Sequence, residues 1–187
     1  DLLLTHRDKL RPLSDVTDQD TFLLDDLCRE RRQLVQERNR KLAQLRTLLK
    51  AYYPQALDVL PEELHRPIAL AFLRRWPELA ALKTARPGTV KRFYYQQGAR
   101  SQRLIEARLQ RIQEAQPIET DAVRVSCARR KMLHMRCWIA LANTQIQEVD
   151  NAILERFEEH DQCEFFKELP GAGAAMAPRL LCAMELA

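Results

Sequence analysis

The sequence predicts an all-α protein: two long helices forming an antiparallel coiled coil, a small helical insert between them, and a helix-hairpin-helix-like start of a C-terminal domain. Glycine is scarce, at four of 187 residues, while Leu, Ala, Arg and Gln are abundant, as is usual for helical proteins. Apolar residues recur at alternating steps of three and four in two stretches, which places them along one side of a helix. All nine prolines lie outside those stretches and divide the rest of the chain into shorter helices.

These breaks predict five segments. Residues 1–16 end a preceding domain and form a linker, 17–56 form the first coiled-coil arm, 57–116 the helical insert, 117–160 the second arm and 161–187 the start of a C-terminal domain. We therefore expect the chain to be an internal part of a longer protein.

The first long helix is predicted from nine regularly spaced residues: Leu24, Cys28, Arg31, Val35, Arg38, Leu42, Leu45, Leu49 and Tyr52. Thr17 or Asp18 is positioned to cap its start and Pro54 to end it. Because a buried, unpaired guanidinium is costly, we expect Arg31 and Arg38 either at the edge of this stripe or against an acidic partner.

The insert is expected to contain short helices over residues 68–76, 78–85, 90–97 and 100–115, the first two with proline at early positions. Thr89 is predicted to cap the third of them and Gly98 to close it. That helix carries Lys91, Arg92, Phe93, Tyr94 and Tyr95, a basic and aromatic mixture able to stack on bases. Phe93 is expected in the core of the insert instead. Tyr94 and Tyr95 are left open between the core and base stacking.

The second long helix covers residues 121–157 and carries the stripe Met132, Met135, Ile139, Ala142, Ile146, Val149 and Ile153. Asp121 is predicted to cap it. A helix of about 38 residues would be about 57 Å long, so it needs a partner along most of its length. The first long helix is the candidate, and the pairing can form within one chain or between two.

The C-terminal stretch joins an apolar helix to a second one through Leu169-Pro170-Gly171-Ala172-Gly173. This pattern is typical of a helix-hairpin-helix, in which the glycines allow a tight turn and expose backbone N–H groups to a phosphate. A connector without a ligand is the alternative. Because Pro178 is tolerated best in a first turn, the second helix is expected to begin later than the apolar pattern suggests.

The net charge of +4 conceals an uneven distribution. Residues 29–50, 74–111 and 124–136 are densely basic, whereas residues 148–168 are acidic. Basic stretches of this density along helices are typical of proteins that contact phosphate backbones. The alternative is a solvated helical surface in which the charges pair locally. Three such blocks favour nucleic acid.

Other site types find little support in the sequence. His134 with Cys137, and His160 with Cys163, have the spacing of metal half-sites, but about 39 Å would separate the two pairs on one helix. We therefore predict no metal site. The five cysteines lack a disulfide framework and fit reduced thiols in the cytoplasm. No signal peptide or membrane-spanning run is visible, so no membrane partner is expected.

Several motifs occur in a distinctive order: His6-Arg7-Asp8-Lys9-Leu10-Arg11-Pro12-Leu13, then Leu48-Leu49-Lys50-Ala51-Tyr52-Tyr53-Pro54, then Leu73-Arg74-Arg75-Trp76-Pro77, and finally Leu169-Pro170-Gly171-Ala172-Gly173. In this order they resemble the middle of the insertion-sequence-110 family of bacterial DNA transposases. The resemblance spans nearly the whole chain, and its last motif is the most telling.

The resemblance implies that this chain is the coiled coil and the opening of the C-terminal transposase domain. The family's RNase-H-like domain, with its acidic set for a divalent metal such as magnesium, should precede Asp1, and its nucleophilic serine should follow Ala187. Asp1 is not assigned as a ligand, and neither Ser14, Ser101 nor Ser126 has the family's serine context. The chain itself is then expected to hold no catalytic residue, metal ligand or cofactor.

The expected role is that of a dimerisation scaffold that contacts nucleic acid during DNA transposition and recombination. DNA, a structured guide RNA and a second copy of the chain are the expected partners, in the bacterial cytoplasm. The predicted phosphate contacts are Arg31, Arg38, Lys91, Arg92, Arg129, Arg130, Lys131, Gly171 and Gly173. The alternative is a structural coiled-coil module that binds only protein, with its basic residues paired to the acidic stretch. A stand-alone enzyme for small molecules is a distant third, because the sequence shows no nucleophile with a base.

Overall fold

The computed structural model describes residues 19–185. All regular secondary structure in that range is α-helical, which confirms the predicted fold class. The helices are α1 (Gln19–Tyr52), α2 (Gln55–Val59), α3 (Pro67–Arg75), α4 (Leu79–Lys83), α5 (Pro87–Gln96), α6 (Gln102–Glu114), α7 (Ala122–Glu159), α8 (Cys163–Glu168) and α9 (Ala177–Glu185). The predicted caps Thr17 and Asp18 lie outside the described residues.

Two compact units make up the described chain. The insert unit is Val35–Gln145, and the terminal unit consists of residues 19–34 and 146–185. Both long helices contribute to each unit, and within each unit they pack together.

The insert unit contains the later part of α1, the earlier part of α7 and the five helices between them. Its core includes Leu45, Leu49, Tyr52, Tyr53, Phe72, Leu73, Trp76, Phe93, Tyr94, Ile105, Met132 and Ile139. Phe93 packs against Trp76 with ring centroids 5.1 Å apart, so its predicted core position is confirmed. Tyr94 is also buried and donates its hydroxyl to the Val59 carbonyl at 3.0 Å, whereas Tyr95 is exposed. Burial of Tyr94 settles the open alternative for that residue in favour of the core.

In the terminal unit, α1 and α7 run antiparallel. Arg31 forms an ion pair with Asp150, and closer to the start of α1, Asp20 lies 3.9 Å from Arg156. The core of this unit combines stripe residues of α1 and α7 with side chains of α8 and α9. Its members include Leu24, Cys28, Val149, Ile153, Phe157, Cys163, Phe166, Leu181 and Cys182. The predicted stripes therefore form the interface between the long helices within a single chain.

The helix ends confirm the predicted signals at Asp121 and Gly98 and correct the one at Thr89. Asp121 caps α7, since its Oδ1 accepts hydrogen bonds from the Val123 and Arg124 amides at 2.8 and 3.1 Å. The predicted cap at Thr89 is wrong. Helix α5 begins at Pro87, two residues earlier, because proline has its dihedral angle preset for the first helical position and needs no N–H bond there. Gly98 follows α5 with φ +81°, as a closing glycine should.

Candidate nucleic-acid interface

Formal charge divides sharply between the two units. The insert unit carries 21 Lys and Arg against nine Asp and Glu, a formal net charge of +12. The described residues of the terminal unit carry six against 13, a net charge of −7. Because the long helices belong to both units, the sign of their surface charge changes along their length. The insert unit is therefore the part with the electrostatic character of a polyanion-binding surface.

Two predicted contacts, Arg31 and Arg38, occupy the stripe of α1. Arg31 is half-buried against Asp150, with Nη2 3.5 Å from Oδ2, which confirms the expectation of an acidic partner for this residue. Arg38 donates from Nη1 to Asn143 Oδ1 at 3.0 Å, and Asn143 donates to the His65 carbonyl at 2.8 Å. Burial, with help from the Arg38 charge, lowers the pKa of His65. Both guanidinium groups thus already have partners inside the fold.

Helix α5 presents its two predicted basic residues differently. Lys91 Nζ lies 3.8 Å from Glu106 Oε1, a partly exposed ion pair. Arg92 is exposed and has no carboxylate partner among the described residues. Tyr95 is exposed nearby in sequence, at 44% of its surface. Arg92 and Tyr95 are therefore the members of the basic and aromatic mixture that a nucleic acid can reach.

The basic cluster of α7 is also split. Arg129 Nη1 lies 3.6 Å from Glu78 Oε1. Arg130 and Lys131 are exposed and, within residues 19–185, form no ion pair. Since an ion-paired side chain must give up its partner before it can bind phosphate, Arg130 and Lys131 are the stronger candidates in this cluster.

The Leu-Pro-Gly-x-Gly motif forms a turn between α8 and α9. Gly171 has φ +84°, a backbone conformation that side chains with a Cβ rarely adopt. The Gly173 carbonyl accepts from the Met176 and Ala177 amides at 2.8 and 3.0 Å, so helical bonding starts here. Helix α9 itself begins at Ala177, and Pro178 lies in its first turn, as predicted. The Gly173 amide donates to the Gly171 carbonyl at 3.1 Å and is thus occupied within the turn.

An open cavity of about 590 Å³ between α3 and α7 was missed as a site by the sequence reasoning. Its polar lining is Arg74, Arg75, Arg136, Asn143 and Thr144, and no carboxylate lines it. The Arg136 Nε atom is buried and has no hydrogen-bond partner among the described residues; an unsatisfied buried donor costs about 1–3 kcal/mol. The basic block had pointed to Arg74 and Arg75, but no sequence pattern joins them to Arg136.

Much of the remaining positive charge in the insert unit is also uncompensated. Exposed Lys and Arg residues of this unit without an ion pair in the described chain include Arg40, Lys50, Arg74, Arg75, Arg86, Arg92, Arg100, Arg103, Arg130 and Lys131. Others donate to backbone carbonyls, as Arg46 does to Glu62 and Arg111 to Asp58, both at 2.8 Å. On a neutralised surface, carboxylates would lie beside these basic side chains.

The described residues show neither a metal-binding cluster nor a membrane-spanning helix. Among the described side chains, no group of three or more His, Cys, Asp or Glu residues is arranged to hold a metal ion. None of the described helices has both the length and the apolar character needed to cross a membrane. Comparisons with protein-family models, with curated proteins and with solved structures found no match to this chain.

Proposed function

We propose that this chain is a nucleic-acid-contacting helical scaffold within a DNA transposase similar to those of the insertion-sequence-110 family. The observation that carries the proposal is the net charge of +12 on the insert unit, with many of its arginines and lysines free of ion pairs in the described chain. Such a surface attracts the phosphate backbone of nucleic acids and releases their counterions on binding.

The contacts proposed first are the exposed basic residues Arg92, Arg130 and Lys131. Lys91 and Arg129 can join them only by exchanging a carboxylate for a phosphate, and Arg31 and Arg38 serve mainly to hold the long helices together. Phosphate contacts of this kind fix the position of a nucleic acid without reading its sequence. The turn that contains Gly171 and Gly173 is a further proposed contact, through the Gly171 amide, because the Gly173 amide is already bonded within the turn.

DNA, a structured guide RNA and a second copy of the chain are the proposed partners, in the bacterial cytoplasm. A second copy would meet the outer faces of the long helices, because their apolar stripes are already buried within one chain. The resemblance assigns the chemistry of strand transfer to a metal-dependent domain and a nucleophilic serine elsewhere in the transposase. The coiled coil would then connect and orient those catalytic parts.

A second candidate is a structural module that binds only protein. It is favoured by the ion pairs of Arg31 with Asp150, Lys91 with Glu106 and Arg129 with Glu78, and by the acidic terminal unit, which offers a second copy a surface of opposite charge to the insert unit. This candidate predicts salt-sensitive self-association with no affinity for nucleic acid.

A salt titration separates the two candidates. Binding of the full chain to a labelled 30-nucleotide mixed-sequence duplex, its single strand and an RNA hairpin is measured by fluorescence anisotropy at several salt concentrations. With each neutralised phosphate contributing about −0.9 to the slope of log K against log salt, a slope of about −3 or steeper is expected for at least one probe. Absence of binding at low salt, or an affinity that hardly changes with salt, would reject the proposed function.

A further inference from the structure

We propose that the arginine-lined cavity between α3 and α7 binds one sugar-phosphate unit of the nucleic acid, with the phosphate on Arg74, Arg75 and Arg136. The proposal rests on the proposed function and deepens it, because it distinguishes one built site from a diffuse basic surface. Its occupant is a backbone phosphodiester with its attached sugar.

The charge of the cavity identifies the class of ligand. Three guanidinium groups line it, and the described residues contribute no carboxylate to its wall. Guanidinium groups repel one another, and each can form paired hydrogen bonds to the oxygens of a phosphate. A phosphate in the cavity would therefore relieve the repulsion and satisfy donors at the same time.

Arg136 gives the second, independent indication. Within residues 19–185, its Nε atom is buried without an acceptor, and its Nη2 donates only to the sulfur of Cys137 at 3.2 Å, a weak acceptor. The guanidinium is thus left poorly satisfied beside an open cavity. Because the side chain is long and unbranched, it can rotate to direct its donors toward an anion in the cavity.

Arg75 is positioned before any ligand arrives. Its guanidinium carbon lies 5.0 Å from the ring centroid of Trp76, a buried residue in the core of the insert unit. This cation–π contact restricts the guanidinium and reduces the conformational entropy that binding would otherwise cost. Arg74, the preceding residue, is exposed and has no ion pair in the described chain.

The apolar wall favours a nucleic-acid phosphate over a free anion. The rest of the lining is apolar and consists of Pro67, Leu70, Ala71 and Ala140. These side chains cannot form hydrogen bonds to a small hydrated ion. The cavity, of about 590 Å³, is larger than one phosphate group needs. Sugar carbons against the apolar wall, with the phosphate on the arginines, use both surfaces.

The first test compares two double variants of the full chain. Arg74→Gln with Arg136→Gln removes two cavity charges. Arg100→Gln with Arg103→Gln is the matched control, because these exposed arginines belong to the same unit and also lack ion pairs in the described residues. With the probes of the salt titration, the cavity variant is expected to bind at least tenfold more weakly than the unchanged chain, and the control no more than about threefold. Equal losses in the two variants would overturn the cavity site and leave the proposed function standing, whereas an unchanged chain that binds no probe would reject both.

The second test avoids any substitution that might disturb folding. The arginine Nε–H resonances are followed by nitrogen-15 NMR while the single-stranded probe or inorganic phosphate is added. A shift of the Arg136 Nε–H signal that saturates together with oligonucleotide binding is expected, with inorganic phosphate producing it only at far higher concentration. A signal that stays in place while the oligonucleotide binds would overturn the site. An equal response to inorganic phosphate at matched concentration would show a site for a free anion and overturn the nucleic-acid assignment.

Discussion

Neighbouring residues of the same type differ in burial in this chain, because their side chains point in different directions from the helix. Tyr94 is fully buried and Tyr95 is 44% exposed, although both follow Phe93 on α5. Phe166 is fully buried and Phe165 is 57% exposed, although their rings contact each other on α8. Each pair provides a buried residue together with its own control.

The hydroxyl of Tyr94 is expected to stabilise the insert unit. Tyr94→Phe removes the donor to the Val59 carbonyl and leaves a buried acceptor unsatisfied, which should lower the free energy of unfolding by about 1–2 kcal/mol. Tyr95→Phe is the control and should change it by less than about 0.5 kcal/mol. Urea denaturation of both variants measures the difference. Equal stabilities would show that the Tyr94 hydrogen bond contributes nothing.

Alkaline pH should destabilise the same core. Burial raises the pKa of Tyr94 to about 12, and burial also raises the pKa of Tyr52 and Tyr53 above the ordinary value near 10. The folded chain therefore holds phenolic protons that the unfolded chain loses, so this contribution to stability is complete below pH 10 and falls as the pH rises toward 12. For Tyr94 alone it amounts to about 2–3 kcal/mol.

The measurement is the free energy of unfolding across this pH range for the unchanged chain and for Tyr94→Phe. The gap between them at neutral pH should narrow as the pH rises above 10, since the variant has no proton to lose at that position. A gap that stays constant up to pH 12 would contradict the raised pKa of Tyr94.

At the scale of the helices, α8 is expected to be held in place mainly by Phe166, the larger of its two buried side chains. Helix α8 has only six residues, and Phe166 is fully buried in the core of the terminal unit. Phe166→Ala should cost about 3–5 kcal/mol of stability, whereas Phe165→Ala, at an exposed position, should cost under about 1 kcal/mol. Hydrogen exchange resolves the effect locally: amides of α8 and α9 should lose protection in Phe166→Ala. Retained protection there would show that other contacts fix α8.

The long helices were predictable from sequence because periodicity alone determines which side of a helix is apolar. The stripe residues from Leu24 to Ile153 are buried or half-buried on that basis, and Asp121 was recognisable as a cap because its function is local. Thr89 was misread because Pro87 gave a competing start signal two residues earlier. A local pattern is enough to predict where a helix begins when it is the only start signal. Where two start signals compete, as at Pro87 and Thr89, the neighbouring residues determine which one begins the helix.

The candidate site was less predictable, because it depends on which residues tertiary packing brings together. Arg129 with Glu78, and Arg136 with Arg74, come from positions about 50 and 60 residues apart that no periodicity relates. Charge density showed that the 74–111 and 124–136 blocks were basic. It could not show that Arg129 is ion-paired while Arg130 and Lys131 are exposed, because a carboxylate from another helix makes that difference.

At the scale of the whole molecule, the modest net charge of +4 is the sum of two populations of opposite sign. The insert unit at +12 and the described terminal unit at −7 interact differently with any polyanion. Counterion release depends on charges close to the phosphates, and at physiological salt a charge more than about 8 Å away is largely screened. For binding to a polyanion, the location of a basic residue should therefore matter more than its contribution to the total charge.

Two double variants with the same change in net charge test this point. Arg130→Gln with Lys131→Gln removes two exposed charges from the insert unit, and Arg29→Gln with Arg156→Gln removes two from the terminal unit, where each is paired with a carboxylate on its own helix. The first variant is expected to weaken nucleic-acid binding and to reduce the magnitude of the salt slope by about 2, since each lost phosphate contact contributes about 0.9. The terminal-unit variant should leave the affinity and the salt slope within about twofold of those of the unchanged chain. Equal effects in the two variants would show that net charge alone governs binding. The proposal that the insert unit is the interface would then be rejected.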